Sequence, residues 1–208
     1  GIARAFVTNL GDSGRQGAST ITQQYVRNSL AERGYLEGDA DQVSAATEQT
    51  TERKLREIKY ALALEKTQSK DEILTGYLNI APFGPITYGV EAASQRYFSK
   101  SASELNYLES ALLAGLVQSP VQYDPLAHPD AAKERRDTVL AAMLEQGVVT
   151  QEEYDEGTAT TIESMLHPSI SSEGCSGAES SKAYFCDYVL AQFLEDPTFG
   201  ETRTERER

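Results

Sequence analysis

Cationic side chains are scarce in this chain of 208 residues. It carries 19 lysines and arginines against 32 aspartates and glutamates, which gives a formal net charge of −13. Such a chain repels the phosphate polyanion of nucleic acid unless a local basic patch overcomes the repulsion, so nucleic acid is not an expected partner. Five cations fall in two short segments, and we expect them to form a small basic patch: Arg27, Arg53, Lys54, Arg56 and Lys59.

Long apolar runs and metal-binding motifs are also missing. No run approaches the length of a membrane span and no cleavable signal is visible, so we expect this stretch to be soluble. The two histidines, His128 and His167, each precede a proline and form no metal motif. The two cysteines, Cys175 and Cys186, are close enough in sequence to close a small loop. A disulfide and two unrelated thiols both remain open.

Helical periodicity dominates the rest of the chain. Alternating runs are few, which predicts an all-α fold with one sizeable core. Helices are predicted over residues 19–33, 51–68, 70–80, 90–97, 103–116, 131–146 and 151–157. From Ser169 the sequence becomes rich in serine and glycine, which predicts a flexible loop followed by an apolar helix from Ala183. The predicted domains are therefore residues 1–168 and 169–208.

The run GASTITQQYVRN at positions 17–28 combines hydroxyls, amides and one guanidinium with little bulk. Ser19 is a candidate N-cap, and the helix start it would create suits an anion because its N–H groups are unpaired. Gln23, Gln24 and Arg27 follow at i+4, i+5 and i+8, so they can line one wall. The alternative is an ordinary capped helix whose polar residues face solvent.

A second cluster combines Arg53, Lys54 and Glu57 inside TERKLREIKYALALE at positions 51–65. Their i+3 and i+4 spacing places them on one face of a helix, while Leu55 and Leu62 belong to its apolar content. Two cations beside a carboxylate favour its ionised form, which suits orienting a hydroxyl or binding a metal better than donating a proton. A solvated ladder of salt bridges is the alternative.

These two segments precede KDEILTGYLNIAPFGPITYGVEAASQRYFSK at positions 70–100, then LNYLESALLAGLVQSPVQYDP and Arg135-Arg136-Asp-Thr-Val-Leu. In this order the segments resemble the peptidoglycan glycosyltransferase domain of class A penicillin-binding proteins, over about residues 1 to 155. The resemblance implies a lysozyme-like all-α fold with a mobile flap. It also implies a place on the outer face of the bacterial cytoplasmic membrane.

The implied reaction polymerises lipid II, a lipid-linked disaccharide-peptide. The 4-hydroxyl of an acceptor sugar attacks the anomeric carbon of the growing donor chain, inverts it and expels a polyprenyl pyrophosphate. Such an enzyme removes a proton from the hydroxyl and neutralises the pyrophosphate, tasks for a carboxylate and for cations or a divalent metal. The implied partners are lipid II, the growing glycan chain, the membrane surface, a transpeptidase domain in the full-length chain, and moenomycin-type phosphoglycolipid inhibitors.

Carried over residue by residue, the resemblance makes Glu57 the catalytic candidate and a candidate ligand for Mg²⁺ or Mn²⁺. The substrate-binding candidates are Ser19, Thr20, Gln23, Gln24, Arg27, Asn28, Arg53, Lys54 and Asn79. Arg27 stands where the family more often has lysine. Arginine keeps the positive charge but replaces the compact ammonium with a planar guanidinium that donates several hydrogen bonds in fixed directions. Asn79 and Phe83 have a second interpretation, in which Asn79 caps a helix and Phe83 is core.

The chain departs from the family pattern at its front. The family's first motif, which supplies the main catalytic glutamate, ends just before a stretch like Gly1-Ile2-Ala3-Arg4-Ala5. We therefore expect a fragment without the general base or the membrane anchor, inactive or nearly so by itself. No Ser-x-x-Lys motif is visible, so we expect no acylation by β-lactams. The final helix is expected to lead toward a transpeptidase domain.

Residues 29–52 form a longer connection than is usual in the family. They correspond to a mobile flap near the donor groove, where Tyr35, Leu36 and Val43 could touch lipid. A disordered loop is the alternative. For the chain as a whole, a lytic, lysozyme-like transglycosylase and a module that binds lipid II or a division partner without chemistry remain alternatives.

Overall fold

The computed structural model describes residues 19–168, 180–200 and 202. Packing of the chain divides it into two compact units, Gly1–Pro168 and Ser169–Arg208. Within the described residues every regular element is helical, and the one isolated β-bridge joins Pro82 to Tyr88. The predicted all-α class is confirmed.

In the first unit the helices are α1 Ile21–Glu37, α2 Ala40–Thr47, α3 Thr51–Leu64, α4 Lys70–Ile80, α5 Val90–Phe98, α6 Tyr107–Leu116, α7 Pro129–Glu145, α8 Gln151–Ala159 and α9 Ile162–Met165, with a 3₁₀ turn at Ala102–Glu104. The prediction for residues 70–80 agrees with α4 at both ends. Helix α1 packs against α2, α3 and α4, whereas α6, α8 and α9 pack against α7.

Side-chain caps mark where α1 and α6 begin. The predicted cap at Ser19 is wrong, because Thr20 has the extended backbone of a cap and its side chain accepts from the Gln23 N–H at 3.3 Å. Asn106 likewise forms a capping box with Glu109, so α6 begins at Tyr107 and not at Ser103.

Residues 29–52 are helical apart from the turns at 38–39 and 48–50, and they do not form a disordered loop. Helix α1 continues to Glu37, Gly38 ends it with a φ of 69°, and Asp39 caps α2. The two helices approach closely at Gly34, where an added Cβ would lie 2.8 Å from Val43 Cγ2. Of the three predicted lipid-contacting residues, Tyr35 and Leu36 are exposed, whereas Val43 lies against Gly34.

Helix α3 buries its charged side and exposes its leucines, the reverse of an ordinary amphipathic helix. Glu57 is 2% exposed and Ala61 is buried, while Leu55 and Leu62 are 63% and 51% exposed. The alternative of a solvated salt-bridge ladder is therefore wrong for this cluster. Burial of a carboxylate requires charged or hydrogen-bonding partners beside it, and those partners belong to the candidate site.

The core lies between α4, α5, α6 and α7. It is built from Tyr77, Phe83, Tyr97, Leu112 and Leu116, all less than 5% exposed. Phe83 is therefore a core residue, and the Tyr97 hydroxyl donates to its carbonyl at 3.0 Å.

Arg136 of α7 is fully buried beside this core. Its guanidinium donates to Asp137 Oδ1 at 2.7 Å and to the Thr160 carbonyl at 2.8 Å, and it contacts Met165 Sδ at 3.0 Å. These contacts fasten α7 to the end of α8 and to α9. A buried charge is tolerated there because its polar partners replace water.

Helix α10, Ser180–Glu195, belongs to the second unit and is followed by a 3₁₀ turn at Pro197–Phe199. The rings of Phe193 and Phe199 stack with centroids 4.3 Å apart. Cys175 and the Cys186 side chain lie outside the described residues. None of the described helices combines the length and apolarity needed to cross a bilayer.

We predict that Arg136→Met lowers the free energy of unfolding by about 3 kcal/mol, because it leaves the partners of a buried charge unsatisfied. Urea unfolding followed by circular dichroism measures the change. Arg135→Met is the matched control, since Arg135 is only partly buried and donates to the Gly115 carbonyl alone; about 1 kcal/mol is expected there. Equal losses in the two variants would contradict a special role for Arg136.

Candidate anion-binding site

Lys54 ties the start of α1 to α3. Its ammonium donates to Ser19 Oγ, to Gln23 Oε1 at 2.8 Å and to Glu57 Oε2 at 3.1 Å. An ammonium has three N–H donors, so these three acceptors occupy all of them. Gln23 is 1% exposed, which makes this bond a buried link between the two predicted segments.

The Glu57 carboxylate is shared by two cations. Arg53 Nη1 donates to Oε1, and Lys54 donates to Oε2. Arg53 is held a second time by its Nε bond to the Glu48 carbonyl, just before α3. The side chain of Glu57 is only 3% exposed, so both cations are held by a buried carboxylate.

An open cavity of about 720 Å³ lies beside this network. Three cations and four neutral polar residues line it: Arg27, Arg53, Lys54, Thr47, Gln49, Thr50 and Thr51. Arg27 and Lys54 therefore line one hollow, as expected for the cations, whereas the predicted amides of Gln23 and Gln24 are not among the lining residues. No carboxylate is among its described lining residues, and the first residues of α3 add the positive end of a helix dipole. The arrangement suits an anion with more than one negative charge.

Arg27 differs from the other two cations of the cavity. Within residues 19–168 it has neither a hydrogen bond nor an ion pair, whereas Arg53 and Lys54 are both bonded to Glu57. Its five N–H donors therefore lack partners in that part of the chain. The phosphate group of a ligand can accept two hydrogen bonds at once from a planar guanidinium of this kind.

The structure gathers only part of the predicted site. Ser19, Gln23 and Glu57 join the network around Lys54, and Gln24 lies one turn before Arg27 on α1. Of the predicted substrate-binding residues, only Arg27, Arg53 and Lys54 line the cavity. Four predicted residues lie outside both this lining and the network around Lys54: Asn28, Asn79, Arg56 and Lys59.

Each of these four has a local explanation. Arg56 donates to the Ala45 carbonyl, and Lys59 is exposed. Asn79 is exposed near the end of α4, whose C-cap is Ala81 and not Asn79. Asn28 is half-buried on α1. The five-residue patch expected from the sequence is therefore reduced to three cations.

The anion site also opens at a different helix start from the one predicted. Thr20 and the first residues of α1 line a separate cavity of about 490 Å³, together with Glu65 and Lys70. The cavity with the cations opens instead at Thr50 and Thr51, where α3 begins. Sequence reasoning missed these threonines, although a threonine directly before a helical run is a capping signal.

The contacts of Glu57 do not favour a divalent ion. Both of its oxygens accept from cations, and Coulomb repulsion from Arg53 and Lys54 opposes a second positive charge there. Mg²⁺ also requires several oxygen ligands. In the described part of the chain, no group of three or more His, Cys, Asp or Glu side chains could hold a metal.

Comparison with known proteins identifies the family of the chain. The family model described as Transglycosylase matches residues 1–144. The chain belongs to the transglycosylase family. It is 36% identical to penicillin-binding protein 1A of Streptococcus oralis over 197 residues, which is 93% of this chain and 28% of that protein. With penicillin-binding protein 1A of Aquifex aeolicus it shares 43% identity over 157 residues, 74% of this chain and 20% of the relative.

A crystal structure of penicillin-binding protein 1A from Haemophilus influenzae is also similar. It matches with a TM-score of 0.47 and 34% identity, over 65% of this chain and 20% of that one. This transglycosylase chain spans about a fifth to a quarter of the length of the curated relatives that it matches.

We predict that Glu57→Gln lowers the free energy of unfolding by about 2 kcal/mol, because two partly buried cations lose their counter-charge. Arg27→Gln is the matched comparison and is expected to change it by less than about 0.5 kcal/mol, since no described residue pairs with Arg27. Urea unfolding of both variants measures the difference. A large loss in Arg27→Gln would contradict the assignment of Arg27 as a cation without a side-chain partner in residues 19–168.

Proposed function

We propose that this transglycosylase chain serves the polymerisation of peptidoglycan strands from lipid II, by inverting glycosyl transfer with a polyprenyl pyrophosphate as leaving group. The observation that carries the proposal is the cavity lined by Arg27, Arg53 and Lys54 and by no described carboxylate. A diphosphate leaving group gathers negative charge as the glycosidic bond breaks. Fixed cations that meet this charge lower the barrier.

The three cations divide this task unequally. Arg27 contacts the diphosphate directly, because its guanidinium has no competing acceptor in residues 19–168. Arg53 and Lys54 add positive potential at the cavity wall while Glu57 holds them in place. Glu57 therefore acts through these cations, as a positioning residue. The predicted Mg²⁺ or Mn²⁺ stays a prediction, and no step of this account uses it.

A lytic transglycosylase, which cleaves glycan, fits the cavity less well. Protonation of a glycosidic oxygen needs a carboxylic acid in the cleft. The described lining of this cavity contains cations, hydroxyls and one amide instead. The charge of the lining therefore favours a diphosphate substrate over a neutral sugar chain.

The remaining partners follow from the proposed substrate. Lipid II is anchored in a bilayer, so the domain works at the outer face of the cytoplasmic membrane, next to the growing glycan chain. Tyr35 and Leu36 at the end of α1, 65% and 77% exposed, are the apolar side chains that we assign to the lipid side. A transpeptidase domain in the full-length protein would cross-link the strands formed here.

We predict that the chain binds moenomycin, whose phosphate occupies the donor cavity, and that Arg27→Gln weakens binding at least about tenfold. One charge-assisted hydrogen bond to phosphate accounts for a loss of that size. Arg27→Lys should keep most of the affinity, because the positive charge remains and only the paired donors of the guanidinium are lost. Fluorescence polarisation with a labelled inhibitor measures all three dissociation constants.

Arg33→Gln is the matched control. Arg33 lies on the same helix and carries the same charge, but it is exposed and paired with Glu37 at 2.7 Å. Its replacement should leave the dissociation constant unchanged within twofold. Equal weakening by Arg27→Gln and Arg33→Gln, or no binding by the unmodified chain, would contradict the proposed function.

A further inference from the structure

Tyr77 of α4 lies against the face of α1 that carries Gln24 and Arg27. The phenol is 4% exposed, and its hydroxyl donates to Gln24 Oε1 at 3.3 Å. Burial raises the pKa of Tyr77, and the charge of Arg27 opposes this rise, so the guanidinium lies within electrostatic reach of the ring. One buried side chain of the core thus contacts the amide of Gln24, one turn before Arg27 on α1, and lies within electrostatic reach of Arg27, which has no side-chain partner among residues 19–168.

The backbone geometry makes this contact specific. Gly76, the preceding residue, lies so close to α1 that an added Cβ would stand 2.5 Å from the Tyr25 ring. Helices α1 and α4 can approach this closely because position 76 has no side chain. The hydroxyl of Tyr77 therefore reaches Gln24 across an interface that leaves little room for adjustment.

The direction of the hydrogen bond determines which end of the Gln24 amide is held. The hydroxyl donates, so it retains the carbonyl oxygen, while Nε2 of the same amide donates to the Ser19 carbonyl at 3.5 Å. An amide nitrogen has two N–H donors, and one remains for a ligand. A phosphate oxygen only accepts hydrogen bonds, so a flipped amide would present the wrong atom to it.

We propose that Tyr77 is a positioning residue for diphosphate recognition: its hydroxyl fixes the orientation of the Gln24 amide beside Arg27. The proposal rests on the proposed function, because it needs an anion at the cavity that Arg27 lines. Both hydrogen bonds of Gln24 are long, and bonds of this kind often tighten only when the ligand is bound. Tyr77 itself remains buried and touches no substrate.

The test compares two tyrosine variants that lose the same atom. Tyr77→Phe and Tyr97→Phe each remove one buried hydroxyl from the core, but Tyr97 donates to the Phe83 carbonyl and not to a predicted site residue. Moenomycin binding to the full chain should weaken about fivefold in Tyr77→Phe, the factor that one neutral hydrogen bond contributes. Binding should stay within twofold of the unmodified chain in Tyr97→Phe, although both variants lose stability.

Two further readouts separate positioning from general loosening. In a ¹⁵N-labelled chain the side-chain amide signals of Gln24 should shift in Tyr77→Phe and stay in place in Tyr97→Phe. In a Gln24→Ala background the Tyr77→Phe change should add almost nothing to the loss of affinity, because one residue acts through the other.

The outcomes distinguish this proposal from the one it rests on. A shifted Gln24 signal with unchanged inhibitor affinity, or equal weakening in both tyrosine variants, would overturn the role of Tyr77 and leave the donor cavity intact. Additive losses in the double variant would overturn it as well. Failure of the unmodified chain to bind the inhibitor would overturn the proposed function, and the role of Tyr77 with it.

Discussion

The ammonium group of Lys54 holds together the two segments on which the candidate site depends. Its three donors reach Ser19, Gln23 and Glu57, so the start of α1 and the charged side of α3 cannot separate without breaking bonds that are largely shielded from water. This single group explains why α3 buries a carboxylate and leaves two leucines exposed. It also keeps Arg53 and Arg27 on the same cavity, because Arg53 shares Glu57 with Lys54.

The lack of a side-chain partner for Arg27 among residues 19–168 follows from the same network. Glu57 is fully engaged by its two cations, and the described cavity lining contains no carboxylate. Three positive groups therefore lie close together, and among the residues that the structure describes Glu57 is the one buried counter-charge bonded to any of them. Mutual repulsion of this kind reduces stability in the absence of ligand, a common feature of binding sites, and an anion in the cavity relieves it.

Much of this arrangement is predictable from the sequence, because helix periodicity and residue order carry the information. The all-α class and the bounds of α4 follow from local patterns. The convergence of Arg27 with Lys54 is implied by the resemblance to the family, because it joins two separate helices. The choice between Ser19 and Thr20 as cap could not be predicted, since both are good caps and the backbone at Thr20 decides. The burial of Glu57 and exposure of Leu55 depend on tertiary contacts of Lys54, which override the amphipathic pattern.

The position of the anion cavity was the main feature that sequence reasoning misjudged. It opens at Thr50 and Thr51 and not at the start of α1, because α2 folds back onto α1 and α3 and brings Thr47 and Gln49 to the cavity wall. That return depends on Gly38, whose left-handed backbone ends α1, and on the close contact of Gly34 with Val43 between α1 and α2. The sequence places Tyr77 in a family motif but does not predict its contact with Gln24, because the two residues are far apart in sequence.

A crystal structure of this chain with a bound phosphoglycolipid inhibitor tests the central claim most directly. The account predicts a phosphate group within hydrogen-bonding distance of the Arg27 guanidinium, in the cavity that opens at Thr50 and Thr51. A phosphate bound instead in the cavity at the start of α1, beside Thr20 and Lys70 and remote from Arg27, would contradict it.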